Sequence, residues 1–111
     1  MRLVLGNAPA SGRVEGVMHT RVVRNDQQSV YELYVGGERT GLIAFRDRPG
    51  RVVMVHTEVD EGLEGQGLGS RLVADALADV RARGLMVMPL CPFVAAYIRT
   101  HPEEADLVAT P

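Results

Sequence analysis

The sequence predicts an α/β fold: a mixed sheet of order β-β-β-β-α-β-α, in which an antiparallel meander is followed by a parallel crossover. Three observations predict it. Four β-type runs, separated by short polar or glycine turns, occupy the stretch from Met18 to Val59. The hydrophobic period then changes from two residues to about 3.6, the signature of a helix. An apolar run, Leu85 to Leu90, comes next, and a strand reached from another through a helix runs parallel to it.

Each element has a local reason. Met18 to Arg24 and Ser29 to Val35 flank the polar turn Asn25-Asp26-Gln27-Gln28, and Gly36-Gly37 leads into Thr40 to Arg46. Turns this short make antiparallel neighbours. Arg48-Pro49-Gly50 is a further turn, after which Val52 to Val59 is rich in β-branched residues, as a central strand is. Leu68, Leu72, Val73, Ala76, Leu77 and Val80 recur at steps of three and four, which predicts a helix from Gly67 to Arg83. Asp79 and Arg83 are spaced to form an i, i+4 pair, and Gly84 supplies a left-handed stop. Leu85 to Leu90 reads as a strand buried on both faces. A last helix starts at Pro92, where proline is tolerated, and ends near Thr100 before His101-Pro102.

A chain of 111 residues with 46% hydrophobic content fits one domain. Residues 1-16, rich in Gly, Ala, Pro and Ser toward their end, read as a flexible arm, and 17-111 as the domain. Twelve Lys and Arg against 14 Asp and Glu, a net charge of -2, make no electrostatic case for nucleic acid or an anionic membrane. No apolar run approaches the roughly 20 residues of a membrane helix, and the chain reads as cytoplasmic. Its partner is then a small molecule or another protein. Cys91, the single cysteine, has no internal disulfide partner, and the three histidines are too scattered to suggest a metal site.

The most informative stretch is Glu64-Gly65-Gln66-Gly67-Leu68-Gly69-Ser70, with glycine at alternate positions where a strand turns into a helix. The first N–H groups of a helix lack internal acceptors and carry the positive end of its dipole, so the turn suits a phosphate or pyrophosphate. The glycines serve equally well to let the helix pack closely on the sheet. Known nucleotide fingerprints do not fit: G-x-G-x-x-G begun at Gly65 puts Ser70 in its last place, and the P-loop pattern begun at Gly62 puts Leu68 where lysine must stand.

At this turn the chain resembles the GNAT superfamily of N-acetyltransferases, whose motif of Gln or Arg, two residues, Gly, one residue, then Gly or Ala covers Glu64 to Gly69, with Glu64 in the basic or amide position. It is similar more widely to the short N-acetyltransferase domain-containing protein 1-like branch. That similarity runs through Tyr31-Glu32-Leu33, His56-Thr57-Glu58-Val59, the glycine turn, Pro89-Leu90-Cys91-Pro92-Phe93-Val94 and Tyr97-Ile98-Arg99-Thr100-His101-Pro102. The resemblance implies acetyl-CoA as co-substrate and an amine as acceptor. It places the pyrophosphate on the N–H groups of Gly65, Gln66, Gly67, Leu68, Gly69 and Ser70, and the pantetheine arm along Thr57 to Val59. It also implies that Cys91 is catalytic and draws attention to His56, and to Tyr97 as a residue near the leaving thiol.

Read as residues, these candidates stay open. Cys91 falls at a strand-to-helix junction, where open sheets present side chains to ligands, and needs a base such as His56 if it is to take an acyl group. It equally suits a small buried packing residue. His56 and Glu58 share one face of their strand, opposite Val55, Thr57 and Val59. Tyr97 suits packing its ring on the sheet as well as an acid. The functional expectation is acetyl-CoA-dependent N-acyl transfer. The alternatives are an acyl-CoA-binding module without turnover and an interaction domain without a ligand.

Overall fold

The computed structural model describes residues 19–60 and 67–109; the sequence-predicted arm at 1–16 and the positions Gly65 and Gln66 lie outside them. Strands β1 (Thr20–Asn25), β2 (Val30–Val35), β3 (Glu38–Arg48) and β4 (Arg51–Val59) are followed by helix α1 (Leu68–Ala82), strand β5 (Met86–Pro89), helix α2 (Pro92–Arg99) and a 3-10 turn over Pro102–Leu107. The sheet order is β1-β2-β3-β4-β5, antiparallel through β4 and parallel between β4 and β5. This is the mixed α/β architecture the period switch predicts, with β3 longer than Thr40 to Arg46 and β5 shorter than Leu85 to Leu90.

One face of the sheet is covered by α1, whose stripe of Leu68, Leu72, Val73, Ala76, Leu77 and Val80 is buried against Tyr31, Leu33, Ile43, Phe45, Val52 and Met54. Burying such side chains is the main favourable term in folding, about 1.5–3 kcal/mol for each large one. Gly84, at φ 71°, ends the helix in the left-handed region as its sequence position requires. Arg83 Nε lies 2.7 Å from Asp79 Oδ2, the expected i, i+4 pair.

One expectation is corrected by the packing. β5 is not buried on both faces: Val87 is fully buried, but Met86 is 37% and Leu90 61% exposed. An apolar run does not reveal whether a neighbour covers its second face, and here Leu90 has left the sheet altogether. The last helix ends at Arg99, before His101-Pro102 as expected, and the chain continues into the 3-10 turn. After the 3-10 turn Val108 forms a parallel bridge to Val87, and the Ala109 N–H donates to the Val87 carbonyl at 2.8 Å, giving the outer edge of β5 a partial cover.

A polar network ties sheet to helix. The Arg24 side chain, 8% exposed, bonds Asp47 through Nη2 at 2.8 and 2.9 Å and Asp26 through Nε at 2.6 Å, and its guanidinium lies 4.4 Å from the Phe45 ring centre. Arg24 Nη1 also donates to the Tyr31 hydroxyl at 3.4 Å, which in turn donates to Asp79 Oδ2 at 2.6 Å. Burial and the nearby Asp79 carboxylate push the Tyr31 phenol up to about 12 from its ordinary 10.0. The folded chain therefore keeps a proton that the unfolded chain loses above its ordinary value. This stabilisation is complete below pH 10 and is lost as pH rises through about 12. Denaturant unfolding should thus show stability falling between those limits by up to about 1.4 kcal/mol per pH unit, and Tyr31→Phe should flatten that decline.

Candidate functional site

β4 and β5 pair only through Arg51↔Met86, Val52↔Val87, Val53↔Met88 and Met54↔Pro89. Val87 and Pro89 turn their backbone groups to the outer edge, where the Val87 carbonyl accepts from Ala109, and the Leu90 N–H, next in line for β4, turns back to the Met88 carbonyl at 3.1 Å. The Cys91 N–H makes one last link, to the Met54 carbonyl at 2.9 Å, and α2 then begins. β4 continues to Val59, so a wedge opens between its last residues and the β5–α2 junction. The Asp60 N–H donates to the Thr40 carbonyl of β3 at 2.8 Å. Because alternate residues turn their backbone groups to the same side, Glu58 also bonds toward β3, and the N–H and C=O of Thr57 and Val59 face the wedge.

A β-bulge decides which side chains meet there. Ala44 pairs with His56 and Phe45 with Met54, which leaves Val55 without a partner in β3. The alternation slips by one residue, so Met54 and Thr57 both face the helices. Thr57 Oγ1 lies 3.2 Å from Cys91 Sγ across the helix side of the wedge, and Cys91 is only 3% exposed. His56 projects from the other face, where its Nε2 lies 2.8 Å from Glu58 Oε2, both side chains being more than half exposed. The structure therefore does not join Cys91 and His56 in a hydrogen-bonded pair. Each has another partner, and the two flank the wedge from opposite faces.

The start of α1 lies close by. Gly67 is its N-cap at φ 75°, a left-handed backbone that a residue with a Cβ adopts only under strain, and it offers no side chain to the first-turn N–H groups. That turn holds no acidic residue. Leu68 sends its side chain into the core, leaving its N–H at the turn, while Ser70 is exposed. Gly69 has a different use: a Cβ there would stand 2.8 Å from Phe93 Cζ. The half-exposed Phe93 ring lies on the bare backbone of α1, so contacts run from Thr57 through the Cys91 junction and Phe93 to the helix start. The arrangement has the form of an extended anion site, with orphan N–H groups at one end, a free strand edge in the middle and a thiol and an imidazole at the other.

Tyr97 lies on α2 about 9 Å beyond Cys91 by helical rise. Its ring stacks on His101 at 3.8 Å between centres and 9° between planes. Burial, helped by the carboxylates of Glu104, Glu103 and Asp75, raises its phenol above the ordinary value, so it stays protonated at neutral pH. His101 Nδ1 lies 2.7 Å from the Tyr97 carbonyl. Among the described residues no group of three or more His, Cys, Asp or Glu is placed to hold a metal, and no helix is long and apolar enough to cross a membrane.

Sequence reading missed the Thr57–Cys91 contact, since nothing in the residues announces the bulge at Val55. It also passed over Glu58 as a partner of His56, although a spacing of two along a strand places both on one face and was signal enough. Phe93, an exposed aromatic just after Pro92, was a further unread signal.

No curated protein matches the chain in sequence. Among solved structures it is similar to an acetyltransferase of Trypanosoma brucei, at 18% identity and a TM-score of 0.43 over 78% of this chain and 68% of that one. The family model described as GCN5-related N-acetyl-transferase matches residues 30–107, from β2 to the end of the 3-10 turn. That span takes in the sheet from β2 onward, both helices and every element around the wedge, and the chain belongs to the GCN5-related N-acetyltransferase family.

Proposed function

We propose that the protein is an acetyl-CoA-dependent N-acetyltransferase that transfers the acetyl group directly to an amine held at the β4–β5 wedge. The observation that carries this reading is the wedge itself: an unpaired strand edge at Thr57 and Val59 that leads toward a glycine-capped helix start. An arm bearing amide groups, such as pantetheine, pairs with such an edge as an added strand does. A pyrophosphate then reaches the N–H groups of Gly67, Leu68, Gly69 and Ser70, and the proposal includes those of Gly65 and Gln66, which precede them in the sequence. Tyr97 follows Phe93 by one helical turn on α2 and would line the cofactor beyond it.

Acetyl-CoA supplies the thioester, and a C–N bond to the amine forms as the C–S bond breaks. The amine must lose a proton, and His56 is the acceptor, oriented by Glu58 at 2.8 Å. On the other face Cys91, held by Thr57 at 3.2 Å, gives its thiol proton to the departing sulfur. The His56 proton then returns to Cys91 through solvent, which restores both groups. The separation of Cys91 from His56 favours this direct route over an acyl-cysteine intermediate, because the thiol has no adjacent base to activate it.

Two measurements test the reading. Gly67→Val should weaken CoA binding in calorimetry by more than tenfold, about 1.4 kcal/mol, because a β-branched residue strains the left-handed cap; unchanged affinity in a protein with normal circular dichroism would remove the anion site from the proposal. Cys91→Ala and His56→Ala should each lower acetyl transfer to a verified amine by about 10²-fold or more while CoA still binds, and intact-mass analysis should find no acetylated protein. Full transfer by Cys91→Ala would make the thiol a packing residue. CoA binding without transfer to any amine in a broad panel would reduce the protein to an acyl-CoA-binding module.

A further inference from the structure

The face of the sheet turned away from the helices is charged unevenly from one end to the other. Both helices bury their apolar residues in one cluster with Tyr31, Ile43, Val52 and Val87. Alternation then sets Arg51, Val53 and His56 on the opposite face of β4, the bulge at Val55 taking up the extra residue. The pairs Arg48↔Arg51 and Arg46↔Val53 place Arg46 and Arg48 on that face beside them. Side chains of directly opposed residues stand about 4.5–5.5 Å apart at Cβ, and like charges so placed repel. Arg46 and Arg48 are exposed and Arg51 is half-buried. Among the described residues no carboxylate forms an ion pair with any of the three. Asp47, the acid of this hairpin, lies on the helix side and is held by Arg24 at 2.8 and 2.9 Å. In a chain of net charge -2 the three guanidiniums are thus a local feature. The wedge end of the same face has the opposite sign, with Glu58 2.8 Å from His56. Between the two ends lie Val53 and Met88, an apolar pair across β4 and β5.

We propose that this face docks an acidic polypeptide, and that such a chain is the acceptor whose amine is acetylated at the wedge. The inference rests on the wedge as the place of transfer and names the class of acceptor it serves. Charge complementarity sets the orientation: an ammonium group approaches the Glu58 end, and carboxylates further along the same chain meet Arg46, Arg48 and Arg51. Arginine suits that task, because its planar fork pairs with a carboxylate through two N–H groups at once. Distance selects a polypeptide over a small amine. At about 3.3 Å per residue, Arg51 lies roughly 16 Å along β4 from His56. An amino acid is far shorter than this, whereas an extended polypeptide covers it in about five residues. The acidic residues therefore follow the acetylated amine at an interval of about five positions, with the intervening residues lying over Val53 and Met88.

The test uses the whole chain and three synthetic peptides with a free N-terminal amine: Gly-Ala-Gly-Ala-Glu-Asp-Glu, its neutral counterpart Gly-Ala-Gly-Ala-Gln-Asn-Gln, and Gly-Glu-Asp-Glu-Ala-Gly-Ala, in which the acids adjoin the amine. In calorimetry at low salt the first should bind about tenfold more tightly than either of the others. With acetyl-CoA present it should be acetylated with a KM lower by a similar factor and an unchanged kcat. The double variant Arg48→Gln/Arg51→Gln should remove most of that preference while CoA affinity and circular dichroism stay the same. Arg83→Gln, which takes one charge from the helix side, should keep it. Equal binding of the acidic and neutral peptides overturns the proposal, as does a preference that survives the double variant or is indifferent to where the acids stand. A single-stranded oligonucleotide that binds more tightly than the acidic peptide, and loses that affinity in the double variant, overturns the choice of a polypeptide. A small-amine control separates this proposal from acetyl transfer itself. Transfer to a small amine with no preference among the peptides overturns the docking face alone. Docking of the acidic peptide without transfer to any amine upholds the docking face and overturns acetyl transfer, and the acceptor role with it.

Discussion

The parting of β4 from β5 after Met54 and Pro89 is the constraint on which the rest of the site depends. Two irregularities meet there. The Leu90 N–H turns back to the Met88 carbonyl in place of continuing the parallel ladder, and the unpaired Val55 increases the local twist of β4. Without the bulge Thr57 would face away from the helices, and Cys91 would lose its neighbour.

A wedge of this kind leaves backbone groups unpaired and is tolerable only in a rigid frame. The rigidity comes from elsewhere: the packed stripe of α1 and the chain of bonds from Asp47 through Arg24 and Tyr31 to Asp79. Arg24 sits in an apolar setting, over Phe45, so its charge is held by carboxylates on both sides rather than by water alone. Arg24 thereby joins β1, β2 and β3 through Tyr31 and Asp47, and the Tyr31 hydroxyl carries the network on to α1 at Asp79. The strands are thus free to separate at one end because they are pinned at the other.

How much of this was legible in the residues depends on the kind of signal. The period switch at Gly67 and the repeat of Leu72, Val73, Ala76, Leu77 and Val80 fixed α1 to within a residue at either end, because one buried stripe dominates that segment. Cys91 and the glycine turn were legible as candidates since their chemistry is local. The contact of Cys91 with Thr57 was not, because a strand's facing follows from strict alternation only until a bulge interrupts it, whereas the shared face of His56 and Glu58 was legible and only their hydrogen bond went unread. β5 misled for a related reason: Met86 and Leu90 are apolar, but burial is a property of neighbours, and the sequence of a strand does not name them.

The cover over β5 has a consequence for how the chain reaches this state. Val108 and Ala109 lie against Val87 but follow it in the sequence by the whole of α2 and the 3-10 turn. As the polypeptide is synthesised, the outer edge of β5 therefore exists before the residues that shield it. An uncovered apolar edge is a template for pairing with another chain, and vectorial synthesis prolongs the interval in which it is bare. The same few residues that appear as a minor annex to the finished sheet thus act, during biogenesis, as a late-arriving guard against self-association.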